Sequence, residues 1–466
     1  MIVMKFGGTS VQDAAAMKQV AEIVASKVDR APVVVVSAMA RVTDTLLLIA
    51  RESQARHFDM AQALIAQLRE RHVEAAKVFS SEYHSRVLDD PYSPLAVESK
   101  IENYIGELYN LARSVATLGE LTPRTQDAIV SFGERLSSLL VTAAFRARDI
   151  KAELVDSRRF IITDDRFTAA APDMARTEKL TRDEIQPIIQ AGRVPVAQGF
   201  IGSTADGVTT TIGRGGSDYS AAIIGASLGA EAIEIWTDVD GLMTADPRVV
   251  PEARRIRVIS FAEAAELSYF GAKVLHPSTV LPAIEKGIPV HIYNTHNPSC
   301  EGTLIVATPR PSKNLIKSIA FKRNVTIMNV ASTRMLLAYG FLRTIFEVFE
   351  RHKTSVDVVT TSEVSVSVTL DNTEQIEAIK SDLEGIGEVT IERDKAIVCV
   401  VGDNLKFTPG VAARLFRAIQ STNINMISQG ASEINVTFVI DASEVDRVAR
   451  SLHNEFFAEV DAEVFA

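Results

Sequence analysis

The chain has 466 residues, 47% hydrophobic and 23% charged, with a formal net charge of −10. That length exceeds what one core sustains, so two or more domains are expected. The charge excludes a nucleic-acid partner unless a basic patch is present, and PEARRIRV, the densest basic run, is short and interrupted.

IVMKF reads as a strand beginning almost at residue 1, followed by a helical pattern over 11–28. APVVVVSA, a run of consecutive valines, is a strand of the fully buried kind. Residues 43–118 are mostly helical, and a further helix is expected over 128–148. AELVDS, VPVAQGFIG, IEIWTDVDG and IPVHIYN add strands, with a helix over 261–270. Strands alternating with helices predict an α/β domain around a mostly parallel sheet. No apolar run approaches the ~20 residues of a membrane span, so no membrane partner is expected. MIVMKFGG has no leader character, and Cys300 and Cys399 give neither CxxC nor a disulfide framework, which suits a reducing cytoplasm.

Beyond about residue 312 the texture changes to short strands such as SEVSVSVTL. Residues 340–370 lie over 410–440 at a constant offset of 70, with Gly340/Gly410, Phe346/Phe416, Ser362/Ser432, Glu363/Glu433 and Val366/Val436 identical. The same offset carries TIMNV onto AIVCV. Each unit reads strand, Gly loop, helix, strand, hairpin, strand. Two such units could form a pocket between them, or be a duplication that serves stability alone.

The residues able to carry chemistry cluster at strand ends. In MKFGGTSV, Gly7 and Gly8 permit close backbone approach and Lys5 can aim its ammonium at the same point. This is neither a P-loop nor GxGxxG. TTTIGRGGSDYSA runs a threonine-rich strand into a glycine loop before a helix. There Arg214 offers a planar fork for carboxylate or phosphate. Asp218 beside it is a costly neighbour for an anion unless a cation is also present, so the loop suits a zwitterion, or a phosphate with metal; an Arg–Asp brace of a turn is the alternative. Glu134 in SFGERLS could take a ligand ammonium or cap a helix. Asp238, Asp240, Asp246 and Arg248 in WTDVDGLMTADPR form a nucleotide edge or an acidic surface turn, and Lys273 in FGAKVLHP is a second cation for phosphates. The eight histidines lack metal spacing, and no serine triad or reactive cysteine belongs to the set. Two glycine loops, two lysines, an arginine and carboxylates at strand ends fit a phosphorylated cofactor plus a small charged substrate.

In their order along nearly the whole chain, KFGGTSV, VSAMARVTD, SFGERLS, QGFIGS, TTTIGRGGSDYSA, WTDVDGLMTADPR, FGAKVLHP and SVDVVTTSEVSVSVTL resemble the monofunctional aspartate kinases. The resemblance implies an amino acid kinase fold over 1–305, a mostly parallel central sheet with helices on both faces. Two α+β ACT domains would follow, over 313–388 and 389–466, with the first strand of the former available to pair with the latter. It implies ATP with Mg²⁺, phosphorylation of the side-chain carboxylate of L-aspartate, and feedback by lysine or threonine. Alternatives are another amino acid kinase, such as acetylglutamate kinase, or a non-catalytic amino-acid sensor. Residue by residue, Lys5 and Asp218 are catalytic; Thr43, Glu134, Arg214 and Ser217 hold the substrate. Lys5, Gly7, Gly8, Thr237, Asp238, Arg248 and Lys273 serve ATP, and no protein ligand for the metal is implied. Met335, Gly340, Phe341, Leu342, Asp357, Thr361 and Ser362 match the effector site, at an ACT–ACT contact of a homodimer or dimer of dimers. Arg41 stands where some members have glycine. The nucleophile, a carboxylate with an ordinary pKa of about 3.9, is already ionised and needs no general base.

Overall fold

The computed structural model describes residues 1–83, 90–270, 277–309, 312–332 and 339–466. In chain order its elements are β1 (Ile2–Phe6), α1 (Ala14–Ala25), β2 (Val33–Val36), α2 (Val42–Gln54), α3 (Phe58–Ser80), α4 (Pro94–Leu118), α5 (Pro123–Val130) and α6 (Phe132–Arg146). There follow β3 (Ala152–Val155), β4 (Ile162–Thr163), α7 (Met174–Gln190), β5 (Val194–Gln198), β6 (Ile201–Thr204), β7 (Thr209–Thr211), α8 (Gly216–Leu228) and β8 (Ala232–Thr237). Next come β9 (Val258–Ser260), α9 (Phe261–Phe270), α10 (Leu281–Glu285), β10 (Val290–Asn294) and β11 (Thr303–Val306). The last are β12 (Ile316–Ala331), α11 (Phe341–Arg351), β13 (Val359–Thr361), β14 (Ser365–Leu370), α12 (Ile376–Glu384), β15 (Glu388–Gly402), α13 (Val411–Ala418), β16 (Met426–Gln429), β17 (Asn435–Asp441) and α14 (Val445–Phe457). These residues divide into two compact units, 1–242 with 274–309, and 243–273 with 310–466.

In the first unit the strands run in the order β3-β5-β2-β1-β8-β10-β11. All neighbours are parallel except β10 and β11. Every residue of β1 and β2 is buried, as the four valines of β2 and the mostly apolar IVMKF of β1, interrupted only by Lys5 near its carboxyl end, require of strands covered on both faces. The chain leaves β1 for β2 on one side and reaches β8 on the other, which opens a crevice at the carboxyl ends of the central strands. Ser93 with Pro94 and Thr122 with Pro123 set the starts of α4 and α5, each hydroxyl accepting a backbone N–H. Where the sequence suggests one helix over 128–148, the chain builds α5 and α6, separated at Ser131. Pro123–Arg146 is long enough to cross a membrane and holds an 18-residue window with a mean hydropathy of 1.3, although charged residues such as Glu134 and Arg135 interrupt its apolar run. That window is apolar because it lies in the core, 94% of it buried inside the protein.

In the second unit six strands run in the order β13-β14-β12-β15-β17-β16. The long β12 and β15 each serve two modules. The first half of β12 pairs with the end of β15, Ile316 with Gly402 and Lys322 with Ile397, while its second half pairs with β14. The halves are separated by a register shift between Lys322 and Val325, where Asn324 has φ 59° and Asp394 has φ 57°. One module is therefore inserted within the other. Their helices α11 and α13 start from glycines 70 positions apart, Gly340 at φ 81° and Gly410 at φ 85°, so the repeat in sequence is a repeat of backbone. Helix α9 packs on β12 and β15 within this unit.

Glu234, in the middle of β8, is only 1% exposed. Lys27 holds it at 2.7 Å, Trp236 Nε1 donates to it at 3.1 Å, and Arg30 lies at 3.4 Å. Removing one partner of a buried pair leaves the other charge desolvated. Lys27→Met should therefore cost about 3 kcal/mol, near the low end because Arg30 remains, and Lys27→Met/Glu234→Gln should recover much of it. Urea unfolding measures both; a single-variant loss under about 0.5 kcal/mol would contradict the pairing.

Candidate active site

Lys5 lies near the carboxyl end of β1, and Gly7 and Gly8 follow at the turn. The Gly7 N–H donates to Trp236 O at 3.0 Å, and the Ala40 N–H donates to Gly8 O at 3.1 Å, tying the turn to β8 on one side and to the loop after β2 on the other. A Cβ on Gly8 would stand 3.0 Å from Ala38 O, so the two loops are in backbone contact. The second glycine loop precedes α8. Gly213 and Gly215 have φ of 79° and 71°, a region that side-chain-bearing residues rarely adopt, and a Cβ on Gly216 would meet Phe200 Cδ2 at 2.7 Å. Three glycines stand together because the backbone turns left-handed twice and then packs on an aromatic ring. The result aims the start of α8, with Ser217 and Asp218 in its first turn, at Lys5, whose Nζ lies 2.6 Å from Asp218 Oδ1.

Two more helices begin at the same place. Thr43 is in the first turn of α2, which starts after Arg41. Arg41 has φ 67°, the left-handed region, which explains why glycine suits this position. Glu134 is in the first turn of α6, the helical opening that its sequence context allowed. Its Oε1 accepts the Ala38 N–H at 3.1 Å, while Oε2 is buried without a hydrogen-bond partner. Burial pushes the Glu134 carboxyl from 4.5 up to about 8.

A cavity of about 370 Å³ is lined by Lys5, Gly8, residues 37–41, Thr43, Asp44, Glu134, Phe200 and residues 213–218. It gathers Lys5, Thr43, Glu134, Arg214, Ser217 and Asp218 into one wall. Three helix N-termini, each carrying roughly half a positive charge, open onto it. Its side chains supply three basic groups, Lys5, Arg41 and Arg214, together with Asp44, Asp218 and a Glu134 that is mostly neutral at pH 7. Such a site attracts anions and reserves one buried carboxylate for an ammonium.

Of the nucleotide-side residues, Lys5 and Gly8 line the cavity and the other described ones do not. Gly7 is buried in the β1 turn. Thr237 and Asp238 end β8, the Thr237 hydroxyl donating to Asp238 Oδ1 at 3.1 Å, and neither lines the cavity. Arg248 belongs to the second unit, where it is exposed and paired with Asp246 at 2.7 Å. Lys273 lies outside the described residues, as does Met335 of the effector set. Among the described residues no group of three His, Cys, Asp or Glu side chains could hold a metal ion.

Other residues support the site that motif reading passed over. Asp127, buried in α5, accepts N–H groups of Thr168 and Thr211, both at 2.9 Å, and the Thr211 hydroxyl at 2.7 Å. Burial raises its pKa against those three bonds. It fixes the end of β7 just before the Arg214 loop. Asn294 and Asn297 both donate to Asp240 Oδ1, at 2.8 and 3.2 Å, bracing the turn after β8. Asp127 sits among the polar residues of PRTQDAIV, where nothing local marks it as buried, and the two asparagines gave no signal until β10 was placed beside β8.

The model of the amino acid kinase family matches residues 1–294, and an ACT domain model matches residues 398–456. Lysine-sensitive aspartokinase 3 of Escherichia coli is 38% identical over 98% of this chain and 99% of its own length. Aspartokinase 1, chloroplastic, of Arabidopsis thaliana is 37% identical over 98% of this chain and 80% of its own. The chain belongs to the aspartokinases. The crystal structure of E. coli aspartokinase III with aspartate and ADP, in its R-state, aligns at a TM-score of 0.83 and 36% identity, covering 98% of this chain and 100% of that one. The T-state of the same enzyme with lysine and aspartate aligns at 0.84 and 37% identity, covering 98% and 99%.

Between pH 4.5 and 8 the unfolded chain ionises Glu134 and the empty folded site does not. Stability is therefore present below the unfolded value and lost as pH rises toward 8, at about 1.4 kcal/mol per pH unit. Glu134→Gln abolishes that titration. Its ligand-free melting temperature, relative to wild type, should climb steadily from pH 5 to pH 8; a difference constant with pH would show that Glu134 is already ionised in the fold.

Proposed function

We propose that this aspartokinase transfers the γ-phosphoryl group of ATP to the side-chain carboxylate of L-aspartate, giving 4-phospho-L-aspartate and ADP. The observation that carries this is the buried, half-partnered Glu134 facing a cavity otherwise rich in cations and helix N-termini. It provides an ammonium partner and two anion partners in one space, the charge pattern of an amino acid with a second carboxylate. Glu134 takes the α-ammonium, Arg214 the α-carboxylate by a bidentate fork, and Thr43 and Ser217 complete the contacts. That orients the side-chain carboxylate toward Lys5, Gly7 and Gly8.

In the transfer, a carboxylate oxygen forms a bond to the γ-phosphorus as the bond from phosphorus to the bridging oxygen breaks, and ADP leaves with the electron pair. No proton moves, and among the described residues no histidine lines the cavity. The obstacle is repulsion between two anions. Lys5, held in place by Asp218, and the N–H groups of the glycine loops offset that repulsion by fixed charge. Thr237, Asp238, Arg248 and Lys273 serve the nucleotide. Mg²⁺ bound with ATP would supply further charge neutralisation on the phosphates, and no residue of this chain is assigned to hold it.

The repeat supplies regulation. Asp357, with Gly340, Phe341, Leu342, Thr361, Ser362 and Met335, receives an amino-acid effector, lysine first and threonine second, in a homodimer or dimer of dimers formed through the ACT modules. The 70-residue counterpart of Asp357 is Ile427, so one module alone presents a carboxylate at this position. Exposed Leu342, Phe346, Val359 and Val364 give that module an apolar surface for self-association. The cytoplasm is the compartment we assign.

ADP release across a panel of amino acids and acyl amino acids tests the activity; no turnover with L-aspartate would overturn it. In that assay Lys5→Ala should lower kcat by roughly 10²–10³-fold, the scale of losing one preorganised transition-state contact, with little change in KM for aspartate. Near-normal kcat would remove Lys5 from the mechanism. Asp357→Ala should raise the lysine concentration for half-inhibition at least about tenfold, about 1.4 kcal/mol; unaltered inhibition would exclude this pocket.

A further inference from the structure

The Asp357 carboxylate is already in use. Tyr269, the penultimate residue of α9, donates its hydroxyl to Asp357 Oδ1 at 2.8 Å. Lys322, on β12, places its ammonium 2.9 Å from Asp357 Oδ2 and 2.7 Å from Asp371 Oδ2. The Lys322 ammonium also lies 5.5 Å from the centre of the Tyr269 ring. The Asp357 side chain is only 4% exposed, whereas Tyr269 is 46% exposed. A ligand ammonium therefore has no open face of this carboxylate to approach.

The second module shows which of these contacts is expendable. Its counterpart of Asp371 is Asp441, at the end of β17, and Lys395 holds it at 2.7 Å. A lysine clamped to the aspartate that ends this strand is thus common to both modules. The contact to Asp357 has no counterpart at Ile427, which carries no charge; the second carboxylate of Lys395 is Glu392 of its own strand, at 3.1 Å. Lys322 can release Asp357 and keep Asp371. The group of two carboxylates and one lysine is also one cation short of neutrality, and an incoming ammonium supplies it.

We propose that Lys322 and Tyr269 are internal occupants of the effector's ammonium position on Asp357. The effector binds by exchange: its ammonium takes Asp357, Lys322 withdraws to Asp371, and the Tyr269 hydroxyl is released from the carboxylate. The two residues set the effector concentration the protein answers to, and α9 is the element whose tie to the regulatory sheet is cut. This rests on Asp357 being the effector contact.

Titration calorimetry of the full chain with L-lysine, and separately with L-threonine, tests it. Lys322→Gln removes the internal competitor and should tighten binding of the effector about tenfold, the scale of one charged hydrogen bond. Lys322→Arg keeps a cation in place and should stay near wild type. Tyr269→Phe should tighten binding by a smaller factor. Equal or weaker binding in both Lys322→Gln and Tyr269→Phe overturns the exchange. If wild type and Asp357→Asn bind neither amino acid, the effector assignment itself fails, an outcome distinct from wild-type binding that Asp357→Asn abolishes and Lys322→Gln leaves unchanged.

Discussion

Glu134 is the group on which the site turns. One of its oxygens is held by the Ala38 N–H and the other is buried facing no donor. A carboxyl in that state is held neutral by the cost of desolvating its charge, and any cation that reaches it recovers that cost. The ligand-free protein therefore carries a strain that, in the proposed reading, the substrate's ammonium relieves. Replacing Glu134 by an apolar residue would remove the strain and the recognition together, an instance of function maintained against stability.

The remaining architecture serves to hold that carboxyl opposite an anion site. The parallel sheet brings the carboxyl ends of β1 and β2 side by side, and α2, α6 and α8 all begin there. Each start is fixed by a local constraint: Arg41 in a left-handed backbone, Glu134 one turn into a fully buried helix, and left-handed glycines before α8. Asp127 secures the strand leading to Arg214 through three hydrogen bonds. Because interiors are close-packed, these elements cannot shift independently. Lys5 is located by its strand rather than by side-chain freedom, which suits the phosphoryl contact proposed for it.

Much of this was legible in the sequence because glycine and valine report backbone demands directly. The valines of β2, the two glycine loops and the constant offset between Gly340 and Gly410 each gave an element and its place. What the sequence hid were relations between distant segments. Nothing local to Asp357 indicates that Lys322 and Tyr269 reach it from 35 positions before and 88 positions before. Nor does a run of residues reveal that β12 splits between two modules, since only pairing partners decide that. The separation of α5 from α6 was hidden for the opposite reason: AIV, the end of α5, runs straight into the buried α6, and nothing in that apolar run marks the break at Ser131.

The account's central claim is that substrate binding ionises a buried carboxyl that is neutral in the empty site. The direct measurement is calorimetric titration of L-aspartate at pH 7 in buffers of different ionisation enthalpy, which counts protons exchanged on binding. With Glu134 at about 8 in the empty site and ionised against the ammonium of the bound ligand, which keeps its own proton, about 0.9 proton should be released. Binding with no proton release would contradict the claim, because Glu134 would then be charged before the substrate arrives or never meet its ammonium.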